Sequence, residues 1–265
     1  MDFSAVLTDS VTYSLEALMG KWLRWAIFIV FALPASLIRF VINPKTFVAS
    51  TGGINWSAIP WSQIAILCGV GLLLSFFITG YIVRIYRGVK PAPDFTGWTN
   101  LFIDGIKLDI VWILWFMPGI VITVLTSAEF LVSFTDTSGS NLSFLLLLSL
   151  LLIAGSILII IALLFGILGV IRFARTNSIS EGINFSQILT QIRTIGWGNY
   201  IIALVLFAVA AAIYFVVVMV IAFIPYIGWI FILVVNPFFT IFVARYFTLI
   251  YELGEQHQVS PAPEM

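Results

Sequence analysis

Residues Ser143 to Ile171 read SFLLLLSLLLIAGSILIIIALLFGILGVI, with no charged side chain among them. A helix needs about 20 mainly apolar residues to cross the hydrocarbon of a bilayer, and this run exceeds that length. In hydrocarbon it must be helical, because only a helix satisfies its own backbone N–H and C=O groups within one segment. Five further runs share this character: about Trp22–Ile42, Ser62–Tyr86, Leu108–Phe130, Trp197–Ile224 and Trp229–Tyr251. The expected fold is an all-α integral membrane protein with six transmembrane helices.

Composition points the same way. The chain has 265 residues, 62% of them hydrophobic and 9% charged, where a soluble domain carries about 25% charge. Acids and bases balance at 12 each, which leaves no bulk field to attract nucleic acid. One cysteine, Cys68, and one histidine, His257, are too few for a zinc, haem or iron–sulfur site, so no metal or cofactor is expected. No Ser-His-Asp or Cys-His set can be assembled, and neither a phosphate-binding loop nor a dinucleotide fingerprint is present. The expectation is a protein that is not an enzyme.

The first run resembles a signal peptide only faintly, at Ala32–Ser36. More than 20 residues containing Asp2, Asp9 and Glu16 precede it, so it is read as a retained span. With the N-terminus inside, the cytoplasmic flanks hold Lys21, Arg24, Arg84, Arg87, Lys90, Lys107, Arg172, Arg175, Arg193 and Arg245. The outside holds Arg39 and Lys45. That bias places both termini in the cytoplasm. The outer loops, near Asn43–Pro60, Leu131–Asn141 and Pro225–Gly228, are small.

A phrase recurs along the chain. Asp2-Phe3-Ser4 returns as Asp94-Phe95-Thr96 and as Asn184-Phe185-Ser186, at intervals of about 90 residues, as repeated supersecondary units would give. Asp and Asn favour helix N-caps. An amphipathic stripe follows each copy: Phe3, Leu7, Val11, Leu15 and Leu18; Phe95, Trp98, Phe102 and Ile106; Phe185, Ile188, Leu189, Ile192 and Ile195. Such helices lie in the membrane interface, with Phe3, Phe95 and Phe185 as anchors. Each copy leads to a span with a proline (Pro34, Pro118, Pro225) and then to a returning span with an inner arginine (Arg84, Arg172, Arg245). The expected architecture is therefore three tandem repeats of a cytoplasmic interfacial helix plus a transmembrane hairpin, approximately 1–90, 91–180 and 181–252. Together they form one membrane domain, 1–252, followed by a polar tail, 253–265.

Several stretches carry a family resemblance: GYIVRIYRG at Gly80–Gly88, the following Pro93-Asp94-Phe95, LFIDG at Leu101–Gly105, IRFART at Ile171–Thr176 and IPYIGW at Ile224–Trp229. With them the chain resembles a family of polytopic membrane proteins common in methanogenic archaea, a domain of unknown function (number 4013), over about residues 1 to 252. The resemblance implies an archaeal or bacterial cell-membrane protein. It implies no activity and supplies no functional residues.

Within the spans no ionisable group lies at mid-depth, where ion-driven transport would leave one; Glu129 and Asp109 sit near span ends. Arg84/Arg87 and Arg172/Arg175 are spaced i, i+3 and so share a face. With Arg245 they fit contacts to anionic lipid head groups or to a partner's acids, and equally fit plain positive-inside anchoring. Gly71, Ser75 and Thr79, and Ala162 with Gly166, form small-residue ridges for close helix packing. Asn236-Pro237 interrupts the sixth run and predicts a kink.

Two functions remain open on these residues. One is a non-enzymatic membrane scaffold or accessory protein that contacts membrane lipids, forms homo-oligomers or joins a larger membrane complex, and organises lipid or membrane shape. The alternative is a carrier or channel for a lipid-like or small apolar solute. Its path would draw on Gln63, Thr123, Ser149, Ser156, Asn199 and Asn236.

Overall fold

The computed structural model describes residues 2–42, 44–47, 55–135, 142–224 and 227–259. Parts of the expected outer loops, residues 43, 48–54, 136–141 and 225–226, lie outside them. The helices are α1 (Phe3–Leu18), α2 (Trp22–Val41), α3 (Pro44–Phe47), α4 (Trp61–Tyr86), α5 (Trp98–Thr135), α6 (Leu142–Thr176), α7 (Ile179–Gly182), α8 (Phe185–Ile195), α9 (Trp197–Ala222) and α10 (Gly228–Val259), with a 3₁₀ turn at Trp56–Ala58. Among the described residues there is no strand. Six helices (α2, α4, α5, α6, α9 and α10) are long and apolar enough to cross a membrane, as a multi-pass membrane protein requires. Each covers one of the six expected runs, although α5 begins at Trp98 rather than near Leu108 and α10 continues to Val259.

The chain divides into two compact units. The first is residues 1–106 with 196–252; the second is 107–195 with 253–265.

In the first unit α1 begins where Asp2 caps it, its Oδ1 accepting from the Ala5 N–H at 3.0 Å. It ends at Gly20, whose φ of +72° is the left-handed turn that stops a helix. Its buried face is Val6, Ser10, Tyr13, Ser14, Ala17 and Leu18. The apolar stripe read from the sequence is therefore split. Leu18 packs inward, whereas Val11 and Leu15 stay open. The face against the protein is the small, hydroxylated one, because Ser10 and Ser14 return their hydroxyl protons to the carbonyls of Val6 and Ser10.

Helices α2 and α4 form a hairpin with an aromatic cluster at its base. Phe95 stacks on Tyr81 (ring centroids 4.6 Å apart) and meets Phe28 edge-on at 5.2 Å. Where α4 crosses the start of α5, the backbones touch. A Cβ on Gly80 would sit 1.9 Å from the Leu101 carbonyl oxygen, and one on Gly105 would sit 1.8 Å from that of Phe76.

The second copy of the recurring phrase departs from expectation. Asp94 does not cap a helix, and no separate interfacial helix follows it. Residues from Trp98 onward belong to α5, one continuous helix of 38 residues. Two causes act: Arg24 takes the Asp94 carboxylate, and no helix stop follows the phrase's amphipathic stripe. The first and third copies end at Gly20 and Gly196, both with positive φ, whereas Gly105 stays helical and serves the close crossing instead.

Later in the first unit, α9 buries only Tyr200 and Ala203. In α10 the Asn236 amide oxygen accepts from the Tyr214 hydroxyl, and the Asn236 carbonyl accepts from Thr240 at 3.0 Å. α10 runs as one helix through Asn236-Pro237, where the sequence predicts a kink. Pro237 itself cannot donate to Leu233.

In the second unit α5 and α6 pack through Gly119 and Gly155. A Cβ on Gly155 would meet Thr123 Oγ1 at 2.4 Å. The α8 face of Ile188, Gln191, Ile192 and Ile195 is buried, and α8 starts where Asn184 Oδ1 accepts from the Gln187 N–H at 3.3 Å.

Candidate functional site: the ion-paired ends of the helices

Of the five arginines singled out by sequence, Arg84, Arg87, Arg172 and Arg175 sit at the ends of α4 and α6 while Arg245 lies within α10, and all five have partners within the chain. In the first unit Arg245 is fully buried on α10. Its Nε donates to Asp9 Oδ1 at 2.8 Å, and its guanidinium carbon lies 5.1 Å from the Tyr13 ring centre. Its two Nη atoms are buried with no hydrogen-bond acceptor among the described residues. Asp9 also accepts from Lys90 Nζ at 3.1 Å, and Tyr13 donates its hydroxyl to the Val89 carbonyl at 2.9 Å. These contacts clasp α1 to α10 and to the 89–96 segment.

A second arginine, Arg24, closes the other end of α1. It donates to the Ala17 carbonyl at 2.7 Å, where a cation suits the negative end of a helix. It also pairs with the Asp94 carboxylate. Arg84 binds the same segment, donating to the carbonyls of Asp94 (2.9 Å) and Thr96 (2.6 Å). Arg87 pairs with Asp104 at 2.7 Å.

The charges shift as this geometry dictates. Burial tends to raise the Asp9 carboxyl, but the hydrogen bonds and charges of Arg245 and Lys90 outweigh it and hold Asp9 below the ordinary carboxylate range. The Arg24 hydrogen bond does the same for Asp94. Burial pushes the Tyr13 hydroxyl up to about 12.

In the second unit Arg172 donates through Nε to Glu181 at 2.8 Å, which holds the Glu181 carboxyl low. Arg175 lies 4.0 Å from Glu255. Trp115 Nε1 donates to the Gly182 carbonyl at 3.0 Å, so α5 fixes α7. A groove of ≈360 Å³ lies between α5 and α6 and is lined also by Ile183 and Phe185. Among the interfacial anchors, Phe185 is exposed and Phe3 is half-buried, while Phe95 belongs to the aromatic cluster.

Sequence reasoning missed the acids Asp9, Asp94, Asp104 and Glu181 as the arginines' partners. The available signal was the equal number of acids and bases in a chain with few of either. Among the described residues no cluster of His, Cys, Asp or Glu could hold a metal ion.

Neither the curated proteins nor the solved structures contain a match to the chain. A family model does match, over residues 63–226, well over half the length, and it includes the GYIVRIYRG, LFIDG and IRFART stretches. The chain belongs to the family described as Protein of unknown function (DUF4013).

Proposed function

We propose that this protein is a non-enzymatic scaffold or accessory protein of an archaeal or bacterial cell membrane, with both termini cytoplasmic. In this reading it holds amphipathic helices flat on the inner leaflet, and so organises lipid, membrane shape or copies of itself. Three tandem units of interfacial helix plus hairpin are part of the proposal, the second modified so that its amphipathic segment runs straight into the span.

The observation that carries it is the clasp on α1. Asp9, Tyr13 and Arg245 lock the small-residue face of the helix to the protein, while Val11 and Leu15 remain open at its edge. An apolar edge on a rigidly held helix suits insertion among lipid head groups. Ser149 and Ser156, offered above for a solute path, donate instead to Leu146 and Leu152 in their own helix, which favours the scaffold over the carrier.

Native mass spectrometry of the full chain, purified in mild detergent from its own membrane, is the test. Retention of further copies, of a partner or of lipid is the expected result. A lipid-free monomer without partners would remove the reading.

A further inference from the structure

We propose that the groove between α5 and α6 holds one acyl chain of an anionic phospholipid, with Lys107 as the contact for its phosphate. This deepens the lipid-organising part of the function proposed above and rests on it. The arginines expected to meet lipid are engaged inside the protein, so the head-group contact has to come from elsewhere.

Lys107 fits. It is half-buried at the start of the second unit, and it forms no hydrogen bond or ion pair among the described residues. Its nearest acid toward the N-terminus, Asp104, is taken by Arg87. Asp109 lies two residues further on and projects to the far side of the helix. Lys107 stands seven and eleven residues before Leu114 and Pro118, so all three share one face of α5. Leu114 and Pro118 line the groove.

Side chains on a helix lean toward its N-terminus, so the lysine reaches away from the groove toward the Trp98 end. Seven residues rise about 10 Å along the axis. A phosphate at Lys107 therefore delivers the upper part of an acyl chain to Leu114.

The groove's shape selects its occupant. Its opposite wall is Ile161 and Ala162, and Phe185 also lines it, with its ring 4.6 Å from that of Phe165. A volume of ≈360 Å³ is less than one turn of a helix about 10–12 Å across would fill, but it accommodates a single alkyl chain. Both walls belong to helices long enough to span a membrane, so lipid reaches the groove directly.

The test uses the full chain in detergent micelles carrying phosphatidylglycerol or phosphatidylcholine, with bound lipid counted by native mass spectrometry. The expected result is one tightly held phosphatidylglycerol, preferred over phosphatidylcholine. Lys107→Gln removes that preference, about fivefold for one lysine near an anionic head group. Leu114→Trp fills the groove and removes the adduct altogether. Ile161→Trp does the same from the other wall, and both variants are checked for helix content and a single elution peak. Equal binding of the two lipids by the native chain, or an adduct that survives in a folded tryptophan variant, would overturn the proposal. Neither result by itself removes the scaffold reading, which falls only if the native chain comes out as a lipid-free monomer without partners.

Discussion

The two units use the same charged pair in different ways. In the first, Arg245 on α10 reaches Asp9 on α1, 236 residues away in the chain, and is fully buried in doing so. In the second, Arg172 on α6 reaches Glu181, nine residues on, and both stay partly exposed, at 21% and 34%. The first pair ties α1 to α10, beside the buried face of α1 and its Tyr13 and Arg24 contacts. The second closes a turn that Trp115 already fixes through the Gly182 carbonyl. An ion pair of given length matters in proportion to how fully its charges are removed from water and how far apart in sequence it reaches.

Backbone crossings sharpen the contrast and give the largest expected effect. A Cβ on Gly105 falls 1.8 Å from a carbonyl oxygen, and backbone cannot step aside. On Gly155 the nearest atom, at 2.4 Å, is a threonine hydroxyl that can rotate away. Gly105→Ala is expected to cost more than about 4 kcal/mol and Gly155→Ala about 1–3 kcal/mol. Unfolding in mixed micelles with increasing SDS measures both. Equal losses would mean that the first unit's crossing is no tighter than the second's.

Next comes Asp9→Ala, which leaves Arg245 buried without its acid. The expected loss is about 3 kcal/mol, at the low end for unpairing a buried charge, because Asp9 itself keeps 38% exposure. Asp9→Ala combined with Arg245→Met restores most of it, since no charge then remains to be compensated. A double variant no better than the single one would show that α1 is held by packing alone.

How much of this was legible depends on the range of each interaction. The six spans follow from run length and composition, which one segment settles alone. Helix stops were legible in principle: Gly20 and Gly196 stand directly after their amphipathic stripes, whereas Gly105 is followed by Ile106-Lys107-Leu108 with nothing to end a helix. Reading the phrase Asp94-Phe95-Thr96 as another helix cap put local similarity above that signal, and the tertiary demand for Asp94 at Arg24 prevailed. The arginines were visible as positions. Their partners were not, because a link between Asp9 and Arg245 leaves no trace in sequence spacing.

Acid distinguishes the two units more gently. Asp9, Asp94 and Glu181 all have carboxyls held below the ordinary range. Each contributes stability fully present above the unfolded value of about 4 and lost as the pH falls through the lower folded value. Amides of α1 should therefore exchange faster below about pH 4. Those of α8 should respond less, because protonating Glu181 leaves Arg172 with access to water while protonating Asp9 leaves Arg245 with none. Hydrogen exchange followed by mass spectrometry reads both helices in one sample. Equal acceleration would remove the distinction.

The smallest effect is expected at Glu181→Gln. The amide oxygen still accepts from Arg172 Nε, Trp115 still donates to the Gly182 carbonyl, and Asn184 still caps α8. Only the charge is lost, at a site where an ion pair is screened. The melting temperature in detergent should barely change, and raising the salt concentration should mimic the substitution in the native chain. A large drop would mean that the turn between α6 and α8 depends on Glu181 as heavily as α1 depends on Asp9. Local and long-range pairs would then count alike in this fold, whatever their burial.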